Sequence, residues 1–407
     1  MEPSHVDKPV RGTERQRAGS LVVFSDDWGR HPSSCQHLVR HLLSQFPVLW
    51  INTIGLRQPR LDWFTAVRGW EKVRQWLCHP RRSRAMGDEA AQNPQVLNPI
   101  MWPSIRFRWE RRLNCVLLRK QLIGNISKLP RTRVLVTTIP LVADLIGHLP
   151  VDRWVYYCVD DFRQWPGMAG QVIAEQEVTL VRAADLVIAA GHRLAQHIAE
   201  LGKTPHILTH GVDLEMWASP IPSSIPEEIL RKTRDLEKPW IVFWGSTDWR
   251  MDTDFLTALA NRLNRGTIVL VGPVTDCDPV LRKLPRLVLL GPVPYPVLPW
   301  FAQQAAVLIM PYRRGGGMEE LEPLKLREFL ATDRPIVVRD LPANRLWQDA
   351  LDLVDIPEEF AARVLLRIEE GVPAFQLAAR ARVQEEGWPA KARQFAAWLF
   401  PEASASS

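Results

Sequence analysis

Eleven short apolar runs, each about as long as a buried β-strand, fall into two sets along this chain. Segments long enough to form a helix separate the runs, and this alternation is typical of α/β domains built on a parallel sheet. We therefore predict two such domains. The runs begin at Leu21, Val48, Arg133, Arg153, Asp185 and His206 in the first set, and at Ile241, Thr267, Arg286, Val307 and Pro335 in the second.

The stretch between the two sets has the composition of a linker, with three prolines and a pair of serines between Trp217 and Pro239. A length of 407 residues exceeds what one core normally serves, and 46% hydrophobic content is ordinary for a soluble globular protein. The predicted parts are a disordered tail (1–19), a first domain (20–215) with an insertion (57–112), a linker (216–238), a second domain (239–385), a C-terminal helix (386–400) and a disordered tail (401–407).

The five cysteines are scattered and form no CxxC or Cys/His cluster, which indicates a reducing compartment and no zinc site. No apolar run approaches the length needed to span a bilayer, and the N-terminal residues are too polar for a signal peptide. We expect a cytoplasmic protein, with contact at the inner face of the plasma membrane as one further option.

The segment 320–333, ELEPLKLREFLATD, has the residue types of a nucleotide-sugar site. It follows an apolar run and the glycines 315–317, and Pro323 suits the first position of a helix. A helix there buries Leu326, Phe329 and Leu330 and places Lys325 beside Glu328 on another face. Lys325 could bind a phosphate, while Glu320 and Glu328 could bind hydroxyls. The alternative is a pair of solvated glutamates with a weak surface ion pair.

Ligands of open parallel sheets bind at the carboxyl ends of the strands, so residues just after each run are candidates. In the second half these are Gly245, Ser246 and Arg250, then Gly272 after the next run. Small residues let a phosphate approach the backbone, and an arginine can bind its oxygens with two hydrogen bonds. The alternative for each glycine is a turn without a ligand.

In the first half, the candidates after a strand are the adjacent acids Asp160 and Asp161, and Gly29 and His31 in the first strand-to-helix turn. We place all four on the acceptor side of a cleft between the domains. An aspartate that caps a loop or helix is the alternative for the acidic pair, and a solvated loop residue is the alternative for His31.

The sequence resembles the GT-B glycosyltransferases of family 4, in the branch that builds bacterial surface polysaccharides. The resemblance covers about residues 20 to 340 and is most specific in the run from VDDF to HGVD and in EELEPLKLREFLA. It implies two Rossmann-like domains facing a cleft, with a C-terminal helix that crosses back to the first domain. It assigns Glu320 to the donor sugar and Glu328 to the ribose. Many relatives have a histidine where Asp160 or Asp161 falls, so the catalytic set becomes Glu320 with this acidic pair.

The resemblance implies a retaining transfer of a sugar from a nucleoside-diphosphate donor, of the UDP or GDP type, to a glycan or lipid-linked acceptor. The usual glycine–arginine opening and the later lysine are missing, so Arg250 and Lys325 are inferred substitutes on the diphosphate. No cofactor other than this co-substrate, no metal and no nucleic acid are expected. Two alternatives stay open: a sugar-nucleotide epimerase of the same fold, and a non-catalytic basic protein that binds a membrane or nucleic acid.

The net charge of +6 is concentrated in one stretch. Residues 57–112 hold twelve Lys/Arg against five Asp/Glu, a local +7, together with five tryptophans. Cations mixed with indoles are typical of an interfacial membrane surface. A solvated insertion around core tryptophans and a nucleic-acid patch are the other interpretations.

Overall fold

The computed structural model describes residues 19–29, 33–52, 93–164, 170–218, 225–315, 318 and 323–401. The predicted tails lie outside these ranges, apart from Gly19 and Pro401, and so do His31, Glu320 and residues 57–92 of the basic insertion.

The first domain is built on a parallel sheet of seven strands in the order β3-β2-β1-β4-β5-β6-β7. Most central strands are buried on both faces, which explains why they appear in the sequence as continuous apolar runs. The strands are β1 (Ser20–Ser25), β2 (Val48–Asn52), β3 (Gln95–Leu97), β4 (Arg133–Thr137), β5 (Arg153–Cys158), β6 (Leu186–Ala189) and β7 (His206–Ile207). The helices up to the second sheet are α1 (Ser34–Arg40), α2 (Arg108–Ile126), α3 (Gly170–Ala183), α4 (His192–Glu200), α5 (Leu214–Ala218) and α6 (Glu227–Thr233).

The second domain has a parallel sheet of six strands in the order β10-β9-β8-β11-β12-β13. Its strands are β8 (Trp240–Trp244), β9 (Thr267–Val271), β10 (Leu287–Gly291), β11 (Ala305–Met310), β12 (Ile336–Arg339) and β13 (Asp352–Val354). The remaining helices are α7 (Thr253–Arg262), α8 (Leu298–Gln304), α9 (Leu324–Leu330), α10 (Pro357–Glu370), α11 (Ala374–Ala379) and α12 (Trp388–Leu399). Pro323 caps α9 in an extended conformation and is not its first residue, a shift of one position from the prediction.

Helix α12 returns to the first domain. Its residues Phe395 and Leu399 join the core that contains β1 and β5, and the Phe400 ring stacks on Phe46 at 4.4 Å. The Arg153 guanidinium donates to the carbonyls of Trp398 and Leu399 at 2.7 and 3.0 Å. The predicted fold class, two Rossmann-like domains with a crossing C-terminal helix, is confirmed.

All eleven predicted strands are present, whereas β3 and β13 were not predicted. The domain limits, including the linker at 216–238 that contains α5 in part and α6, stay predictions. Among the described residues, no helix combines the length and the apolar character needed to cross a bilayer.

Candidate functional site

Two glycine turns pack against each other at the carboxyl edge of the second sheet. Gly245 follows β8 with φ +132°, and Gly272 follows β9 with φ +139°. Residues with a side chain rarely adopt these backbone angles. A Cβ on Gly272 would lie 2.2 Å from the carbonyl oxygen of Gly245, so only glycine fits there. The result is an edge of bare backbone, which a ligand can approach closely.

Lys325 of α9 lies over this edge. A Cβ on Gly245 would be 2.6 Å from Cε of Lys325 and 3.0 Å from its Nζ. The ammonium donates to the Tyr312 hydroxyl and lies 5.0 Å from the centre of that ring and 5.5 Å from that of Phe243. The structure thus brings together three residues that the sequence had assigned to the nucleotide: Gly245, Gly272 and Lys325.

Glu328, also on α9, lies close to Lys325 but is buried inside the second domain. Its side chain is held by the Trp244 indole N–H, which donates to Oε2 at 2.7 Å, and by the Tyr295 hydroxyl, which donates to Oε1 at 2.7 Å. Burial raises its pKa, and the hydrogen bonds from Trp244 and Tyr295 and the charge of Lys325 oppose that rise. The alternative interpretation, in which Glu328 is solvated and forms a weak surface pair with Lys325, is therefore wrong, because Glu328 is only 3% exposed.

Arg250 is engaged within its own loop, next to half-buried Ser246. Its Nε and a terminal nitrogen donate to the two oxygens of Asp248 at 2.9 and 2.8 Å. Burial works against its charge, but Tyr312, Asp248 and Asp160 outweigh it and hold the pKa of Arg250 above its usual value. The assignment of Arg250 to the diphosphate stays a prediction, and in this structure its guanidinium binds Asp248.

The acidic pair of the first domain divides into two roles. Asp161 is buried, and its oxygens accept two hydrogen bonds from Arg163 at 2.6 and 2.7 Å and one from the Arg163 backbone N–H at 3.2 Å. Asp160 is half-buried and accepts from the backbone N–H of Asp161 at 2.8 Å. The geometry of Asp161 fits the loop-capping alternative, and the acceptor-side role of Asp160 stays a prediction.

The turn after β1 is fixed by an acid that the sequence did not single out. Asp26 accepts from Ser25, Ser33 and Gln36 at 2.8, 2.9 and 2.6 Å, and burial raises its pKa. Gly29 in this turn is exposed with φ +78°, and its N–H donates to Gln36 at 3.0 Å. Gly29 therefore lies in the strand-end turn where the acceptor side was predicted.

The two domains meet beside the Glu328 site. The His37 ring of α1 stacks on Trp388 of α12 at 4.7 Å and lies 5.9 Å from the ring of Tyr295. Burial and then the charge of Arg40 lower the pKa of His37 to about 4, so the ring is neutral near pH 7. Tyr295 thus contacts both the buried carboxylate and the first domain.

Sequence reasoning missed Trp244, Tyr295, Tyr312 and Asp248. A signal existed for the aromatic residues, because each lies at or near the end of a predicted apolar run or in the GPVPYP segment after one. No group of three or more metal-ligating side chains occurs within the described ranges.

No protein-family model matches the chain. Over 186 residues it is 25% identical to "Putative teichuronic acid biosynthesis glycosyltransferase TuaH" of Bacillus subtilis, a match covering 44% of this chain and 46% of that protein. The chain therefore spans about half the length of that relative. HepE of Anabaena, solved in complex with UDP-glucose, is similar in structure, with a TM-score of 0.66, 12% identity and coverage of 94% and 99% of the two chains. The α,α-trehalose 6-phosphate synthase of Burkholderia multivorans matches with a TM-score of 0.62, 15% identity and coverage of 95% and 98%. The fold is GT-B.

Proposed function

We propose that this protein is a glycosyltransferase that moves a sugar from a UDP-sugar to a glycan or lipid-linked acceptor in surface-polysaccharide synthesis, with retention of configuration. The observation that carries the proposal is the contact of Gly245, Gly272 and Lys325 at the carboxyl edge of the second sheet, with Glu328 behind it. The similarity to TuaH, the UDP-glucose bound by HepE and the family-4 resemblance all support it.

The chemistry assigns one task to each group. The acceptor oxygen forms a bond to the anomeric carbon while the bond from that carbon to the diphosphate oxygen breaks, and the acceptor proton passes to the departing diphosphate. Lys325 stabilises the charge that develops on the diphosphate, and the bare backbone at Gly245 lets it come close. Ribose hydroxyls replace the Tyr295 hydroxyl on Glu328. Asp160 lies on the acceptor side, and Glu320 stays the predicted contact of the donor sugar.

Nucleotide binding tests the proposal directly. Lys325→Met keeps the aliphatic stem over Gly245 but removes the charge, so the Kd for UDP should rise about tenfold or more while the Kd for uridine stays the same. Lys232→Met is the control, because Lys232 pairs with exposed Glu228 on a surface helix. Calorimetry with both ligands distinguishes the outcomes, and equal losses for UDP and uridine would mean that Lys325 only supports the fold.

Turnover separates the proposed reaction from its alternatives. Incubation with UDP-glucose and other UDP- and GDP-sugars should release UDP or GDP slowly by hydrolysis when no acceptor is present. Interconversion of two sugar nucleotides would instead indicate an epimerase. A protein that binds no sugar nucleotide in a thermal-shift screen, where a ligand at a hundred times its Kd stabilises by about 2.7 kcal/mol, would be a non-catalytic module.

A further inference from the structure

Helix α2 and the loop before it expose a set of large apolar side chains. We call this surface the α2 outer face; it consists of Trp102, Phe107, Trp109, Leu113, Val116 and Ile123. Phe107 and Trp109 are each 55% exposed, and Val116 is 47% exposed. Single exposed apolar residues are common on proteins, but a contiguous set is typical of an interaction surface.

The helix has two apolar stripes, and only one packs on the domain. Leu118, Leu122 and Ile126 recur every four residues and are buried in the core beneath β1 and β2. Trp109, Leu113, Val116 and Ile123 recur at helical spacing on the other side and face outwards. The outer side of a surface helix normally carries polar residues. The second apolar stripe of α2 is therefore expected to bind a partner that offers it an apolar environment.

Charge identifies the partner. Residues 98–120 contain six basic side chains and one acid, Glu110. Glu110 is buried and accepts from Trp102, Ser104 and the backbone N–H of Phe107 at 3.1, 2.7 and 2.9 Å, so its carboxylate is not part of the exposed face, and the segment keeps a net charge of +5, six basic residues less one acid. The exposed arginines and the lysine beside the apolar stripe can bind anionic headgroups, while the stripe itself can enter the acyl chains beneath them. A membrane that contains acidic lipids offers both. The exposed basic residues are Arg106, Arg108, Arg112, Arg119 and Lys120, whereas Arg111 is half-buried and pairs with Asp144 at 3.6 Å.

Two other partners fit this surface less well. A nucleic acid would use the rings for stacking, but Leu113, Val116 and Ile123 offer no flat face to a base. A second copy of the chain would bring two positively charged surfaces together, and like charges repel.

The α2 outer face adjoins the acceptor side of the cleft. Its loop begins after β3 at the carboxyl edge of the sheet, where the amide of Asn52 donates to Asn98 at 2.8 Å. The same Asn52 accepts from the backbone N–H of Trp28 at 3.0 Å, in the turn that contains Gly29. A membrane bound at this face therefore lies next to the turn that we assign to the acceptor.

We propose that the protein binds anionic membranes through the α2 outer face, and that this contact presents a lipid-linked acceptor to the cleft. The second half of the statement rests on the proposed function, while the first half does not. Helix α2 lies along the membrane surface, with its apolar stripe among the upper acyl chains and its cations at the acidic headgroups.

Flotation with lipid vesicles tests the contact. The full chain should bind vesicles of equal parts phosphatidylglycerol and phosphatidylcholine at low salt, release as salt rises, and bind pure phosphatidylcholine far less. Arg108→Gln with Arg112→Gln should weaken binding about thirtyfold, at about a factor of five per basic residue. Trp109→Ser with Val116→Ser should weaken it at least tenfold.

Matched controls come from the linker and the second domain. Phe375→Ser with Leu377→Ser removes two other exposed apolar side chains, and Arg231→Gln with Arg265→Gln removes two other exposed charges; both variants should bind vesicles like the natural chain. Unchanged melting temperatures and unchanged Kd values for UDP show that fold and donor site are intact. Failure to bind anionic vesicles at low salt, or full binding by both variants of the α2 outer face, overturns the proposal. Absence of UDP binding in the natural chain would instead contradict the proposed function.

Discussion

Asp161 at the end of β5 and Glu328 on α9 are carboxylates of two different domains, and both are almost fully removed from water, at 4% and 3% exposure. Asp161 is held by the permanent charge of Arg163 through two hydrogen bonds. Glu328 is held by two neutral donors, Trp244 and Tyr295. Neutral donors can be exchanged for ligand hydroxyls of similar strength, whereas a cation cannot. The difference indicates that Asp161 stabilises its loop and that Glu328 can respond to a ligand.

The largest loss of stability should come from substitutions in the two glycine turns of the second domain. Gly272→Ala places a Cβ against the Gly245 carbonyl and strains a φ of +139°, so we expect a loss of more than about 3 kcal/mol in the free energy of unfolding. Gly245→Ala has a similar φ, but its Cβ meets the flexible end of Lys325, so it should cost about 1–3 kcal/mol and weaken UDP binding. Denaturant unfolding measures both, and equal losses would contradict the inferred packing of the two turns.

Asp161→Asn should destabilise the protein by about 1.5–3 kcal/mol, because Arg163 loses the nearer of its two buried carboxylate partners and keeps only Glu177, at 3.9 Å. Nucleotide affinity should not change, since the residue lies in the other domain. Asp349→Asn is a matched control: Asp349 also binds an arginine, Arg382, with two hydrogen bonds, but at the surface, and its loss should cost less than about 1 kcal/mol. A loss of catalysis by Asp161→Asn without a loss of stability would restore a direct role for this acid.

Glu328→Gln should weaken uridine and UDP binding alike, by on the order of 1.5 to 3 kcal/mol, because a charged acceptor of ribose hydroxyls is lost. The raised pKa of Glu328 means that the stability it contributes is present below its ordinary value of 4.5 and is lost as the pH rises through the raised value. The amide does not titrate, so the variant should be at least as stable as the natural chain at pH 8, and the difference should shrink towards pH 4.5. Urea unfolding across this range measures it, and a variant that is less stable at every pH would argue against the raised pKa.

Glu328→Ala should destabilise the protein, which makes it a poor test of ligand binding. It would leave the Trp244 indole N–H and the Tyr295 hydroxyl buried without this acceptor, at a cost of about 1–3 kcal/mol each. Glutamine, which can still accept a hydrogen bond, is therefore the better test of this position. Glu320→Ala, at the predicted contact of the donor sugar, should lower transfer without unfolding the protein, as an activity assay beside a thermal melt would show.

The sequence predicted the central strands well because burial on both faces leaves a continuous apolar run, as in LVVFS and TIVLVG. The two strands that it did not predict, β3 and β13, are sheet edges of three residues each. Gln95 and Val96 of β3 are exposed, and β13 begins with Asp352, so neither strand has an apolar run to detect. Their pairing with a neighbouring strand defines them, and pairing is not a local property.

The site could be predicted only in part for a similar reason. Gly245, Gly272 and Lys325 follow from positions at strand ends. The burial of Glu328 does not, because its donors Trp244 and Tyr295 lie 84 and 33 residues away. Asp161 and Arg250 carried an unused local signal: both belong to an Asp-x-Arg sequence, and each pair forms the same two hydrogen bonds.

The crossing of α12 onto the first domain sets an order of events during synthesis. The core of the second domain uses residues between Val212 and Val383, so it can close as soon as that stretch has left the ribosome. The core of the first domain runs from Leu21 to Leu208 and then waits for Trp388 and Phe395. At 5–20 residues per second, the roughly 180 residues in between take about 10 to 40 s to make. For that interval the face of α1 that receives α12 is uncovered, so the half of the protein that is translated first is the half that finishes last.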